Sequence, residues 1–565
     1  MKFWRIALAL AAFPAVAAAA DGQPLSNTTD PTAVVPQPPN ASRPIQAPDH
    51  GPTGGPDDRA PRFTLTGVEF EGATTISPDA LRPTWQGFVG KPVSLSDLHN
   101  IARAAERAYA AAGYPFVAIV LTPQSVEGGV VRFKVVEGHI SSLTVLSNDA
   151  TARRQTAAVF GGLVDRKPLA ASEVEGAYVH ARDIPGLAID GALRRGGVPG
   201  GMDLVVRAQH QDWRVYANAN NLYPETVGPW GVLVGVDHFG SSPYGDQTSF
   251  QLYSSVDGGQ QIVGRISHRQ ILNASGTSVA GMILVAKAEP GGVVAPLDLA
   301  TNVTAGRLSV SQPLIERLNF SLGGTFGFEA SDQKTKVFNS IAITDDRLRI
   351  FSLAVSGDAS ARGGYHLDYS FELRKGIEGL NSSKEGDAGL SRAGANPQAT
   401  VARMTVAGQT PPFHTVRLYG RFDGQVTGDA LTAPEQYAVG NLSIGRGYQP
   451  GAAFGDKAAA LSAEVRFGPY PVGKFRVQPF VFYDTAKLWT LTPGAHREHT
   501  ISSVGGGIRL EAPGRMHLDL SYAAPQDPPM GLGEPTPHPR VLLSLTVGLD
   551  DLFKHRSRAS SGDAK

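Results

Sequence analysis

An arginine set between two glycines, with a carboxylate downstream on a strand-like segment, is the pairing in this 565-residue chain most able to do chemistry. Residues 441–457 read NLSIGRGYQPGAAFGDK, with Gly445, Arg446, Gly447 and Tyr448 at the centre. The glycines let the backbone come close to a wall, and the guanidinium is a planar fork that keeps its charge. A carboxylate is its natural partner. Residues 482–486 read Phe482-Tyr483-Asp484-Thr485-Ala486, and Asp484 shares the parity of Arg476 and Gln478, the polar face of that segment. Between the two motifs Leu461, Ala463, Val465 and Phe467 alternate with Ser462, Glu464 and Arg466. Residues 441–457 thus lie between two alternating segments and are themselves too rich in Gly and Ala for a strand. The chemistry on offer is ion pairing.

Bond-making chemistry is hard to find. Residues 468–474, GPYPVGK, fit most of a phosphate-loop pattern, but Phe475 stands where a magnesium-holding Ser or Thr is needed and two prolines remove backbone donors. The segment reads as a turn. The 14 histidines show no paired metal spacing, so His268 and His517 read as lumen or turn residues. A Gly-x-Ser-x-Gly elbow is missing. Trp230, Tyr253 and Trp489 read as girdle or lumen aromatics. No catalytic residue, metal ligand or cofactor is expected, and the chain reads as a non-enzyme. Zero formal net charge argues against a nucleic-acid partner. Without cysteine there can be no disulfide, thiolate site or lipoprotein anchor.

The elements that must hold the pair begin with an export signal. In residues 1–20, Lys2 and Arg5 form a basic start, 6–13 an apolar core, and Ala18, Ala19 and Ala20 precede Asp21. No later apolar run reaches the roughly 18 residues of a transmembrane helix. An exported chain of this kind is periplasmic, secreted or an outer-membrane barrel. Residues 21–60 carry nine prolines and read as an extended or disordered linker, with no helix able to plug a pore.

Residues 61–139 read β-α-α-β-β. Phe63, Leu65 and Val68 open a strand, 78–85 a short helix. Ser94 and Asp97 form a capping box, ahead of a helix with Leu98, Ile101, Ala105 and Tyr109 on one face. Gly113 is its stop, and strands follow at 116–121 and 130–137. Residues 140–209 repeat the order: strand 142–145, helix 150–160, a capping box at Ser172 and Glu175 before a helix carrying Val174, Tyr178 and Ala181, then strands 188–194 and 202–208. From Asp212 onward the segments alternate, as in Trp213, Val215, Ala217 and Ala219 against Arg214, Tyr216, Asn218 and Asn220. One apolar and one polar face suit a lipid-facing barrel with a wet lumen. About eleven such segments precede the Arg446 stretch and about five follow, an even total of the kind a closed bacterial barrel requires. The last turns Val541, Leu543, Leu545, Val547 and Leu549 outward, and Phe553 keeps that parity.

The motifs around Arg446 and Asp484 resemble those of the outer-membrane translocases and insertases, and within them the two-partner secretion transporters, or haemolysin secretion/activation proteins. Tyr114-Pro115, Pro123-Gln124, Gly129 and Glu137-Gly138 resemble the first polypeptide-transport-associated (POTRA) domain of that family. The resemblance implies a transmembrane β-barrel of about 16 antiparallel strands preceded by two small α+β POTRA domains. The implied boundaries are a signal peptide 1–20, linker 21–60, POTRA domains 61–139 and 140–209, a barrel 210–553 with a lumen loop 428–457, and a polar tail 554–565. In that family the loop folds into the lumen and its tip Arg docks on a wall Asp. The implied tip is therefore Gly445, Arg446, Gly447 and Tyr448, and its partner Phe482 and Asp484. Ala486 stands where the family usually carries Gly.

By the same resemblance the chain is a pore in the outer membrane of a Gram-negative bacterium. It recognises a large adhesin- or haemolysin-like exoprotein with periplasmic POTRA domains and exports it, whether or not it also activates it. Further implied partners are outer-membrane lipids and the barrel-assembly machinery; the residues that touch the passenger are unknown. Two POTRA domains rather than more argue against an insertase. A passive porin would need neither those domains nor the loop.

Overall fold

The computed structural model describes residues 43–46 and 63–550, apart from 257–259, 362, 441–443, 493–494 and 530–537. The signal sequence, most of the linker, Phe553 and the polar tail lie outside the described residues.

In the first small unit, helix Leu95–Ala111 begins where Ser94 and Asp97 satisfy each other's backbone donors. The Asp97 carboxylate accepts from the Ser94 N–H at 2.8 Å, and Ser94 Oγ accepts from the Asp97 N–H at 3.3 Å. Its buried stripe of Leu98, Ile101, Ala105 and Tyr109 packs with Val131, Phe133 and Val135 of a sheet ordered Gly67–Glu71, Val130–Glu137, Val117–Leu121.

The second unit has strand His139–Leu146, helices Ala150–Phe160 and Ala171–Asp183, and strands Leu187–Arg195 and Gly201–His210. Its second helix starts earlier than the Ser172 box predicts. Ala170 is the N-cap, and the Glu173 carboxylate accepts from its N–H at 3.1 Å. Only the acidic half of a box exists, because alanine offers no hydroxyl. A second departure lies in the linker: Arg43–Gln46 forms a strand, pairing parallel with Leu187–Arg195, Arg43 opposite Asp190 and Gln46 opposite Ala192. Pro44 fits there because an edge strand has one unpaired side, where a missing N–H is tolerated.

This unit sits on one rim of the barrel. Gln155 Nε2 donates to the carbonyls of Gly240 and Ser242 at 3.3 and 3.1 Å, and His180 Nε2 lies 2.7 Å from Glu316 Oε2.

The barrel closes with sixteen full strands. They are β1 (Trp213–Asn220), β2 (Gly231–Phe239), β3 (Asp246–Ser255), β4 (Gln261–Ile271), β5 (Ser278–Ala288) and β6 (Ala300–Arg317). Next come β7 (Phe320–Val337), β8 (Ile341–Ala361), β9 (Tyr365–Gly376), β10 (Thr400–Gln409) and β11 (Val416–Thr427). After the loop follow β12 (Lys457–Phe467), β13 (Phe475–Thr492), β14 (Ala495–Ala512), β15 (Met516–Pro525) and β16 (Arg540–Gly548). Neighbours pair antiparallel, and β1 meets β16 from Tyr216 opposite Gly548 to Asn220 opposite Ser544. The period of two does the sorting: Leu308, Val310 and Phe326 point outward and exposed, while Arg307, Ser309 and Glu329 are buried on the lumen side. Among the described residues no helix is long and apolar enough to cross a membrane; the strands do so. Residues 468–474 do make a turn, with Tyr470–Val472 folding back on the start of β13.

Candidate functional site

The connection between β11 and β12 enters the barrel. It is less irregular than its glycines and alanines predict: Tyr437–Val439 pairs with Ala453–Gly455 as a short hairpin. Beyond that hairpin the chain turns at Gly445, whose φ of +78° suits glycine. A side chain on Gly447 would lie 2.8 Å from both Ser503 Cβ and the Pro525 nitrogen. The second glycine is thus a matter of space, because the loop backbone presses on β14 and β15.

That close approach delivers Arg446 to the wall. Nε and Nη2 donate to the two oxygens of Asp484 at 2.9 and 2.7 Å, the bidentate fit a guanidinium fork is shaped for. The Asp484 carboxylate also accepts from the N–H groups of Gly445 and Arg446, each at 3.1 Å. Nη1 donates to Glu464 Oε1 at 2.6 Å and Nη2 to Ser462 Oγ at 2.9 Å. The guanidinium carbon stands 3.5 Å from the centre of the Phe482 ring, so one face stacks while the edge is saturated with acceptors. Arg446 is 2 % exposed and Asp484 fully buried.

Tyr448 anchors the other side of the tip. Its hydroxyl meets the carbonyls of Ser502 and Asp527 at 2.8 and 2.9 Å, and its own carbonyl accepts from Arg540. Gly445, Arg446, Gly447, Tyr448, Phe482 and Asp484 therefore meet in one place. Residue 486 packs there too: Ala486 is buried with Tyr437, Val439, Ile444 and Tyr448, so its methyl helps fill the space under the loop.

Several members of the cluster carry no role legible in the sequence. Glu464 stood out only as a polar alternate of β12, yet it also accepts from both Nη atoms of Arg509 at 2.9 and 3.0 Å and from Arg466 at 2.7 Å. Arg509 in turn donates to Asp519 at 2.9 Å. Three guanidiniums thus face three carboxylates. Gly505 and Gly507 make room for the rings beneath them; a side chain at either would fall within 2.9 Å of Phe482 or Phe480. Their run in the sequence, Gly505-Gly506-Gly507, was the available signal. Asp456 at the loop's end accepts from Arg392 Nη1 at 2.5 Å and from the Leu431 N–H at 3.0 Å. Among the described residues no cluster suited to a metal ion occurs.

The chain as a whole is similar to known proteins. The family model for the ShlB-type POTRA domain matches residues 63–138, and that for the haemolysin secretion/activation protein ShlB/FhaC/HecB matches residues 317–510. The heme/hemopexin transporter protein HuxB of Haemophilus influenzae is 21 % identical over 479 residues, 82 % of this chain and 84 % of its own length. Among solved structures, CdiB from Escherichia coli superposes with a TM-score of 0.72 at 16 % identity, and CdiB from Acinetobacter baumannii with 0.64 at 14 %; each match covers 89 % of this chain and 94 % of the other. These similarities are to the fold as a whole, and the two family models fall on the first small unit and on the wall that carries the loop and its partner. Together the matched domains and relatives support a two-partner secretion transporter, an outer-membrane pore with POTRA domains ahead of its barrel.

Proposed function

We propose that the docked loop is the resting obstruction of the export pore, and that the passenger passes when Arg446 leaves Asp484. The observation that carries this reading is the complete satisfaction of a buried charged tip on the inner wall. A guanidinium with partners on every nitrogen holds a loop in one position, and a lumen offers few other sites that could replace them. The POTRA domains face the periplasm in this reading and capture the exoprotein as an extended segment. Both outer strands of the first sheet, Gly67–Glu71 and Val117–Leu121, pair on one side only, which suits strand addition. Passenger folding outside the cell supplies the drive, since no nucleotide is available there.

The test is single-channel recording in planar bilayers with matched secretion assays. Removing residues 441–455 should raise conductance or make it noisy. Unchanged conductance from an assembled barrel lacking the loop would dismiss the obstruction. A folded fragment of residues 61–209 that ignores the amino-terminal region of the passenger would dismiss the capture step.

A further inference from the structure

We propose that Glu435 is a second anchor of the lumen loop, a positioning residue that holds the loop's stem on the β9–β10 wall independently of the Arg446 tip. This rests on the reading of the loop as an obstruction and adds how it is retained.

Glu435 ends a single turn of helix, Ala433–Glu435, between β11 and the hairpin, and is buried. Arg374 of β9 reaches it as a fork, Nη2 donating to Oε1 at 2.9 Å and Nε to Oε2 at 3.1 Å. Arg403 of β10 donates to Oε2 at 3.4 Å and to the Glu435 carbonyl at 3.2 Å. Gln425 of β11 donates to the carbonyls of Glu435 and Asp456 at 3.0 and 3.1 Å, so the two ends of the loop are tied to one side chain. Arg374 also faces Glu329 and Glu372, at 3.3 and 3.5 Å.

None of these groups belongs to the cluster at the tip. The tip draws on β12 to β16; the stem draws on β7, β9, β10 and β11. Two buried, charge-assisted sites on opposite flanks of the loop must therefore be broken separately. With Glu435 holding the base against the wall, a freed Arg446 stays close to Asp484 and re-docks, so the tip leaves the wall fully only when both sites have let go. With Glu435→Gln, Arg374 retains Glu329 and Glu372, while Arg403 loses its carboxylate contact and keeps Gln425 Oε1 at 2.8 Å and the carbonyl of residue 435 at 3.2 Å.

The chain has no cysteine, so Gln449→Cys places a single thiol beside the tip. Labelling of that thiol by a bulky polar maleimide reports how often the loop leaves the wall. Four proteins are compared in this background: the parent, Glu435→Gln, Arg446→Ala and the combination, each checked for an assembled barrel by heat-modifiable migration. Glu435→Gln alone should speed labelling about tenfold, the effect of a lost hydrogen bond to a charged group. The combination should approach the product of the two single effects, and Glu435→Asp should return the rate towards the parent's. The second anchor is overturned if Glu435→Gln labels at the parental rate, or if the combination labels no faster than Arg446→Ala. If Arg446→Ala alone leaves labelling unchanged while Glu435→Gln speeds it, the tip reading falls and the anchor at Glu435 stands.

Discussion

At the scale of single residues, Arg446 and Asp484 behave as one unit because each is the other's main counter-charge in a buried place. Truncating one partner leaves a stranded charge, a cost of about 3–5 kcal/mol in buried pairs. Secretion of the partner exoprotein into the medium should therefore fall to a similar degree in Arg446→Ala, Asp484→Ala and the double variant. Clearly additive losses from assembled barrels would count against the unit. Arg446→Lys should resemble the alanine variant, because an ammonium cannot reproduce two parallel hydrogen bonds to Asp484 and a third contact to Glu464. Gly447→Ala tests space rather than charge. With only 2.8 Å to Ser503 and Pro525, the methyl should push the tip off the wall and impair secretion with Arg446 and Asp484 still present; wild-type secretion would show that the wall yields.

Among the elements, the joint between the second small unit and the barrel rests on helix Ala171–Asp183 meeting the end of β6. Burial works against a charged His180, but the hydrogen bond and charge of Glu316 outweigh it and raise the imidazole pKa above its ordinary value of 6.5. A raised histidine pKa stabilises the docked state fully below the unfolded value. That contribution is lost as pH rises through the docked-state value. Docking should accordingly loosen as pH rises above about 6.5, the ordinary histidine value. Hydrogen exchange at residues 272–277, the turn that packs on His180 through Gly276, should accelerate over that range after correction for the intrinsic rate. His180→Gln should abolish the pH dependence. Exchange that tracks the intrinsic rate alone in both proteins would remove His180 from the joint.

For the molecule as a whole, the described part of the linker lies as a strand on the second unit, and the loop is the element seen inside the barrel. Deleting residues 21–60 should then barely alter single-channel conductance, while exposing the edge of Leu187–Arg195 that Arg43–Gln46 now covers. Deleting residues 441–455 should give the larger change. A wide opening from the linker deletion with little effect of the loop deletion would reverse the assignment of the plug.

Much of this architecture is legible in the chain because it is local or strictly periodic. Ser94 and Asp97 can cap a helix only within one turn of each other. Alternation such as Trp213 to Asn220 assigns each residue to lipid or lumen without reference to any other strand. The Arg446–Asp484 pair is legible because a permanently charged fork next to glycines needs a carboxylate, strand parity makes Asp484 a candidate, and the resemblance to the secretion transporters singles it out. Neither the Ser172 start nor a strand at Arg43–Gln46 could be judged this way, since one depends on where the chain leaves Pro168 and the other on a partner strand more than a hundred residues away. Only the closed barrel decides which lumen charges meet. Glu435, Arg374 and Arg403 come from different segments, as do Glu464 and Arg509, and each pairing is set by the register of strands around a ring rather than by spacing along the chain. A lone arginine on a polar face looks solvated in sequence; in the lumen it is buried, and its partners are whichever carboxylates closure brings within reach.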